Sequence, residues 1–328
     1  MARFSYGGQA LIEGVLMRGR DAIAVALRHP DGRIVWSDEL LGGGFRGTRR
    51  AKLPFVRGLV VLYETLVIGT RWLIRSAGVA AAEELSPATT SDGRTADAAD
   101  LGKGSIALML IFTLVLGLGL FFFVPLIVAR FLAGDQPGIV ERAVEGVVQV
   151  AIFLGYLILI GRTSDVRRTF QYHGAEHMTI HALEAGDPLT VEAVRKYPTA
   201  HPRCGTEFLV VVILISIITF SIVGRQSLPV MILSRIVLIP VIAAVSYELL
   251  RFGARHRDSA VIRALFAPGI WVQKITTKQP TDDMIEVAIV SMEQAMTADG
   301  ETLPAGSGTI ARSPLVLAGA PPAPATES

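Results

Sequence analysis

"SIALMLIFTLVLGLGLFFFVPLIVA", residues 105–129, is the stretch that decides the fold. It runs for 25 residues without a charged side chain, and a helix needs about 20 mostly apolar residues to cross the hydrocarbon core of a bilayer. Further apolar segments follow at residues 146–161, 208–224 and 228–250. The sequence therefore predicts a mainly α-helical polytopic membrane protein with about four transmembrane helices.

The composition agrees with a membrane location. Charged residues make up 18% of the chain and hydrophobic residues 51%, whereas soluble domains carry about 25% charge. The formal net charge of +2 is too small for a nucleic-acid-binding protein. The lipid bilayer is thus the expected partner, with membrane-protein partners or a homo-oligomer as further candidates.

Basic residues predict the orientation of the spans. Residues 1–52 hold nine Lys and Arg, and the segments 162–206 and 251–278 hold six each. The two connections that alternate with them, 130–145 and 225–227, hold two and one. Because cytoplasmic loops are enriched in Lys and Arg, we expect a multi-pass protein of the cytoplasmic (inner) membrane with both termini in the cytoplasm.

The segments that flank the spans have other patterns. Apolar runs on either side of Pro30-Asp31-Gly32 predict an N-terminal β-hairpin. In residues 53–80, Arg57, Glu64 and Arg71 recur every seven residues on one helix face, which indicates an interfacial or re-entrant helix, or a helix whose charged stripe meets protein partners. The predicted organisation is a β-hairpin region (1–52), an amphipathic helix (53–80), a linker (81–104), the transmembrane core (105–278) with a cytoplasmic histidine loop (162–207), a helix (279–297) and a disordered tail (298–328).

The histidine loop contains "HGAEH", residues 173–177. His173 and His177 are four residues apart, so on a helix they share a face and can bind one ion, and Glu176 lies beside them as an acid–base candidate. The order H-x-x-E-H is that of the inverted zinc motif. We therefore expect a divalent metal, of the zinc type, and a third ligand from another segment.

Several residues are candidates for the third ligand. His181 lies about 12 Å along the helix from His173, too far to share the ion. We rank His201 first and Cys204 second, both in "HPRCG", and then Glu248, a charged residue within the fourth span. A Cys–His nucleophile pair of Cys204 and His201 is an alternative, but no orienting third group is evident.

The same histidines are also consistent with roles other than metal binding. They could cap the cytoplasmic end of the second span, or bind lipid phosphate beside Arg167 and Arg168. Cys204 alone is more often a buried small apolar residue than a ligand.

Five stretches, "YGGQALIEGVLMRG", "FQYHGAEHMTI", "HPRCGTEFLVV", "IPVIAAVSYELLR" and "TTKQPTDDMIEVAI", together resemble the YqhQ-like family of bacterial membrane proteins. The resemblance covers about residues 5–295. The family is commonly described as predicted metal-dependent enzymes of unknown function, which implies a metal centre on His173, His177 and either His201 or Cys204. His181 departs from the family pattern.

Two functions are consistent with these patterns. The first is a metal-dependent, zinc-type hydrolase at the cytoplasmic face of the membrane, which acts on a membrane peptide or a lipid-linked molecule. The second is a non-enzymatic factor for membrane assembly, insertion or transport, in which the histidine loop is structural or binds a partner.

Overall fold

The computed structural model describes residues 6–41, 53–81, 103–133, 138–202, 204–223, 226–256 and 258–315. The predicted linker at 81–104 lies almost wholly outside these residues. The helices are α1 (Val56–Ala81), α2 (Lys103–Leu118), α3 (Val124–Ala133), α4 (Gly138–Ile160), α5 (Ser164–Ala185), α6 (Val191–Val194), α7 (Gly205–Val223), α8 (Leu228–Arg255), α9 (Ala260–Thr276) and α10 (Asp282–Ala298). A short π-helical turn, Gly119–Phe123, joins α2 to α3.

The predicted spans are confirmed. Within the described residues, four helical stretches are long and apolar enough to cross a membrane: Leu108–Ala133, Val140–Ile160, Gly205–Val223 and Pro229–Arg255. Large apolar side chains on these stretches are exposed, among them Phe112, Phe131 and Ile222. Exposed apolar surface on this scale is favourable in contact with lipid rather than with water, so the helices form the membrane-spanning part of the protein.

The N-terminal residues form a sheet that is larger than the predicted hairpin. Its strands are β1 (Gly7–Leu11), β2 (Gly14–Arg18), β3 (Ala22–Arg28), β4 (Ile34–Leu40) and β5 (Ser313–Pro314), in that spatial order. Strands β3 and β4 are the predicted hairpin, and β1 and β2 continue the antiparallel meander. The stretches Gly-Gly-Gln and Glu-Gly contain glycine, which disfavours strands. The sequence therefore did not predict β1 and β2.

The sheet lies between two helical layers. Residues such as Val15, Met17 and Ala24 pack with α5 and α10 on one face, whereas Leu16, Ile23 and Val25 pack with Trp72 of α1 on the other. This alternation follows from the two-residue period of a strand. Helix α10 lies in the segment of the predicted C-terminal helix, and Ile285, Ile289, Met292 and Met296 are its buried apolar side.

Helix α1 turns its charged stripe toward the protein. Arg57 forms an ion pair with Glu248 of α8, Glu64 pairs with Arg18 at 2.7 Å, and Arg71 and Arg75 both pair with Glu39. Its other side exposes apolar residues, namely Leu59, Tyr63, Leu66 and Val67. These contacts match the alternative in which the charged stripe of the helix meets protein partners. The position of α1 relative to the bilayer surface stays a prediction.

The predicted disordered tail needs a correction. Residues 299–315 return to the sheet, where β5 pairs in parallel with β4 and Arg312 forms an ion pair with the buried Glu293. Leu303 and Ile310 pack against the core. The Pro- and Gly-rich composition misled the prediction because these few apolar side chains are enough to anchor the segment. Residues 316–328 lie outside the described part.

The missing side chain of Gly174 allows α5 to pack closely against the segments that contain Lys278 and Thr199. A Cβ atom at this position would overlap with the backbone carbonyl oxygen of Lys278 and would lie 3.2 Å from the Thr199 side chain. Backbone atoms cannot move aside as a flexible side chain can. A side chain at position 174 would therefore push α5 away from both neighbouring segments.

We predict that Gly174→Ala lowers the free energy of unfolding by about 1–3 kcal/mol, the usual cost of overpacking. The measurement is thermal unfolding of the purified protein in detergent, followed by circular dichroism. Gly155→Ala is the matched control, because Gly155 is also helical and a Cβ there would meet no atom within 4 Å. Equal stability of Gly174→Ala and the wild type would contradict the close approach.

Candidate metal centre

Helix α5 places the predicted motif residues on one side. His173 and His177 are one turn apart, and their ring centroids lie 4.4 Å from each other. Glu176 and His177 are buried, whereas the His173 side chain keeps 15% of its exposure. The helix starts only a few residues after α4 ends. The motif therefore lies where the second span meets the sheet layer.

Cys204 completes a group of three. One ligand atom each from His173, His177 and Cys204 lies within 4.8 Å of the other two, and the His173 Nε2 atom is 3.1 Å from the Cys204 Sγ atom. Cys204 directly precedes α7, and the Thr206 hydroxyl lies 2.9 Å from the same sulfur atom. The start of the third span thus supplies the potential third ligand.

Backbone carbonyls orient both imidazole rings. The Nδ1 atom of His173 lies 2.9 Å from the carbonyl oxygen of Thr276, and the Nδ1 atom of His177 lies 2.6 Å from that of Thr199. A carbonyl oxygen only accepts, so Nδ1 carries the proton in each neutral ring and Nε2 keeps a lone pair. This is the arrangement in which metal-binding histidines are commonly held.

Burial sets the charge state of the group. It lowers the pKa of His177 to about 2 and raises the pKa of the Cys204 thiol. In the metal-free protein at neutral pH, His177 is therefore neutral and Cys204 is a thiol. Neutral imidazole is the form that binds metal, and a bound cation would favour the thiolate.

Glu176 is held under the first strand. One of its carboxylate oxygens lies 4.0 Å from the Nε2 atom of His173. A Cβ atom at Gly8 of β1 would come within 2.9 Å of the other oxygen, so only glycine leaves room there. Burial raises the pKa of Glu176 to about 8, and the neighbouring His173 and a hydrogen bond from the Gly8 amide oppose this shift. A carboxyl group with this pKa can exchange a proton near neutral pH.

The structure places the other candidates outside the group. His201, ranked first, turns its Nε2 atom to Glu184 at 3.2 Å, and Cys204, three residues later, takes the position expected for it. Glu248 is engaged with Arg57 and with the backbone amide of Phe55, because α1 packs against that end of α8. His181 bonds the carbonyl of Ala200 at 2.9 Å and, as expected, is not part of the group.

Sequence reasoning missed Glu207. This residue is fully buried in the first turn of α7, and it lies against Gly269 of α9, where a Cβ atom would be 2.8 Å from its side chain. A carboxyl group at the start of an apolar span is the signal that could have drawn attention to it. The carbonyls of Thr199 and Thr276 carry no such signal, because a backbone group is the same at every residue.

The donor set suits a divalent transition metal. Two imidazole nitrogens and one sulfur atom are ligands that Zn²⁺ binds, and three protein ligands leave a fourth position of a tetrahedron for water or substrate. Copper also binds sets of two histidines and one cysteine. The residues present therefore fit a metal of this class.

Comparison with known proteins identifies a family whose function is not described. The model of DUF1385, described as a protein of unknown function, matches residues 53–298. The uncharacterized protein YqhQ of Bacillus subtilis (strain 168) is 31% identical over 299 residues, which are 89% of this chain and 92% of the relative. No solved structure matches.

We predict that iodoacetamide modifies Cys204 in the metal-free folded protein roughly tenfold more slowly than in the denatured chain, because the thiolate is the reactive form and burial disfavours it. The rate should increase with pH, since the raised pKa keeps the thiol protonated at neutral pH. Cys204 is the only cysteine in the sequence, so mass spectrometry of the whole chain measures its modification directly. Equal rates in the folded and denatured chains would contradict the burial of the thiol.

Proposed function

Because the chain belongs to the DUF1385 family, which is described only as of unknown function, we propose its function from the geometry of the site. The protein is a metal-dependent hydrolase of the cytoplasmic membrane. Its metal, of the zinc type, is bound by His173, His177 and Cys204. The observation that carries the proposal is the convergence of these three ligand atoms within 4.8 Å, with both histidines held through Nδ1 by backbone carbonyls.

Each residue has a role that its contacts support. A bound zinc ion would supply a water molecule that ionises near neutral pH. Glu176, one residue before His177 and 4.0 Å from His173, is the group that would hold the proton of such a water and pass it to the leaving group. Hydrolysis then adds the oxygen of water to the substrate and breaks the bond to that group.

The position of the site favours a membrane substrate. The motif follows α4 closely and Cys204 directly precedes α7, so the centre lies at the boundary of the spanning bundle. The distribution of Lys and Arg assigns this boundary to the cytoplasmic side. A membrane peptide or a lipid-linked molecule can reach a centre at this level.

A second candidate is a non-enzymatic membrane factor in which the metal is structural. The burial of His177 and Cys204 favours this candidate, because structural metal sites are closed and do not keep a position for water. The two candidates assign different roles to Glu176. A structural site needs only the three ligands, whereas hydrolysis also needs the carboxyl group.

We predict that the purified wild-type protein carries about one zinc ion per chain. His173→Ala, His177→Ala and Cys204→Ser should each lose most of it. His181→Ala and His201→Ala are matched controls from the same two segments and should keep the metal, because neither ring belongs to the group. Elemental analysis after gentle purification is the measurement, and it also distinguishes zinc from copper. Equally low metal in the wild type and in all variants, including after incubation with zinc, would contradict the proposal.

We predict that Glu176→Gln keeps the metal and loses hydrolysis, because an amide does not accept the proton of a bound water. Wild-type and variant proteins are incubated with a membrane extract, and mass spectrometry identifies molecules that gain the elements of water. Products formed by the wild type but not by Glu176→Gln support a hydrolase. Identical product profiles, with the metal retained, would favour the non-enzymatic factor.

A further inference from the structure

An apolar cleft lies between α4, α7 and α9, with a volume of about 250 Å³. Its walls consist of Val150, Phe153 and Leu154 of α4, Val210, Ile213 and Leu214 of α7, and Pro268, Trp271, Val272 and Ile275 of α9. None of these side chains carries a charge, and only the indole of Trp271 has a polar atom. A polar molecule would therefore lose its hydrogen bonds to water on entry without replacing them.

The cleft opens toward the membrane. Helices α4 and α7 belong to the candidate spans, and two residues at the rim of the cleft, Trp271 and Leu214, are 64% and 40% exposed. Leu214 lies on a candidate span, so its exposed surface meets the hydrocarbon chains of the bilayer, whereas Trp271 belongs to α9, in the basic segment 251–278. An apolar chain can thus pass from the bilayer into the cleft without crossing water.

The cleft and the metal centre share two segments of the chain. Ile275 directly precedes Thr276, whose carbonyl oxygen accepts the hydrogen bond from His173. On α7, Val210 lies six positions after Cys204, which is about 9 Å along a helix axis. Two of the segments that build the centre therefore also form the cleft.

The size of the cleft limits its occupant. Pockets for whole drug-sized ligands usually measure about 300–1,000 Å³, so a cleft of 250 Å³ suits part of a molecule. An uncharged and narrow space beside the bilayer suits a hydrocarbon chain. The polar part of such a molecule must lie elsewhere, and the metal centre is a polar site that is built from two of the same segments.

We propose that the cleft binds the hydrocarbon chain of the substrate and that the substrate is an amphiphile whose hydrolysable polar group lies at His173, His177 and Cys204. The inference rests on the proposed metal-dependent hydrolase and names its substrate class. Chain binding in the cleft positions the polar group, so molecules with the same polar group and a short chain bind more weakly.

The probes for the experiment are alkyl hydroxamates, which chelate divalent metals through a constant head group. The full-length protein in detergent micelles is loaded with Co²⁺, whose absorption spectrum reports ligand binding at the centre. In the wild type, octanohydroxamate should bind tighter than acetohydroxamate by a factor of about ten or more, since each buried methylene group adds affinity.

Substitutions in the cleft separate chain binding from simple partition into the micelle. The variants Val210→Phe and Ile213→Phe should bind acetohydroxamate with the affinity of the wild type. They should lose most of the additional affinity that the wild type has for octanohydroxamate. Leu209→Phe is the matched control, because Leu209 is 45% exposed on the same helix and does not line the cleft. Leu209→Phe should keep the full additional affinity for octanohydroxamate. Retained cobalt shows that each variant is folded.

Three results would overturn the inference in different ways. The same chain-length dependence in the wild type and both cleft variants would show that the chains partition into bulk detergent or lipid. The hydrolase proposal would survive that result. If cobalt did not bind, the metal centre itself would fail. If cobalt bound and acetohydroxamate left its spectrum unchanged, the centre would have no open position and the hydrolase proposal would fail. The assignment of the substrate class would fail in both cases.

Discussion

The close approach at Gly174 is the constraint on which the site depends. This glycine stands between His173 and Glu176, and its missing side chain leaves room for the backbone at Lys278 and the side chain of Thr199. Those two segments supply the carbonyl oxygens that hold the two imidazole rings. One position without a side chain therefore determines both the packing of α5 and the direction of the Nε2 lone pairs.

The same packing joins the two parts of the protein. Helix α5 continues from the second span and is also a layer over the sheet, where Tyr172 and Met178 are fully buried. Arg168 of α5 pairs with Glu13 at 2.6 Å, and Arg57 ties α1 to α8. Exposed ion pairs add little stability on their own. These pairs connect segments far apart in sequence, α5 with the connection between β1 and β2 and α1 with α8.

Composition and periodicity predicted the parts of the structure that depend on local sequence. The spans followed from apolar runs, and the pairing of His173 with His177 followed from helix geometry. The third ligand depends on the path of the segment between α6 and α7, which no local pattern specifies. His201 and Cys204 are only three residues apart and both contact α5, so the choice between them depends on whether the residue reaches His173, as Cys204 does, or Glu184 near the end of the helix, as His201 does. The pairing of Glu248 with Arg57 could not be predicted from local sequence, because the two residues lie 191 positions apart.

The environment of Glu176 bears on the difference between an enzyme and a structural metal site. Burying a carboxyl group costs free energy unless its charge is compensated, and here that cost is reflected in a pKa raised to about 8. His173 and the Gly8 amide offset only part of this cost, and β1 lies directly against the carboxyl group. Two imidazoles and a thiolate would bind a metal equally well with an apolar residue at position 176, which would also stabilise the fold. A buried carboxyl group beside the ligands is therefore expected where proton transfer is part of the function.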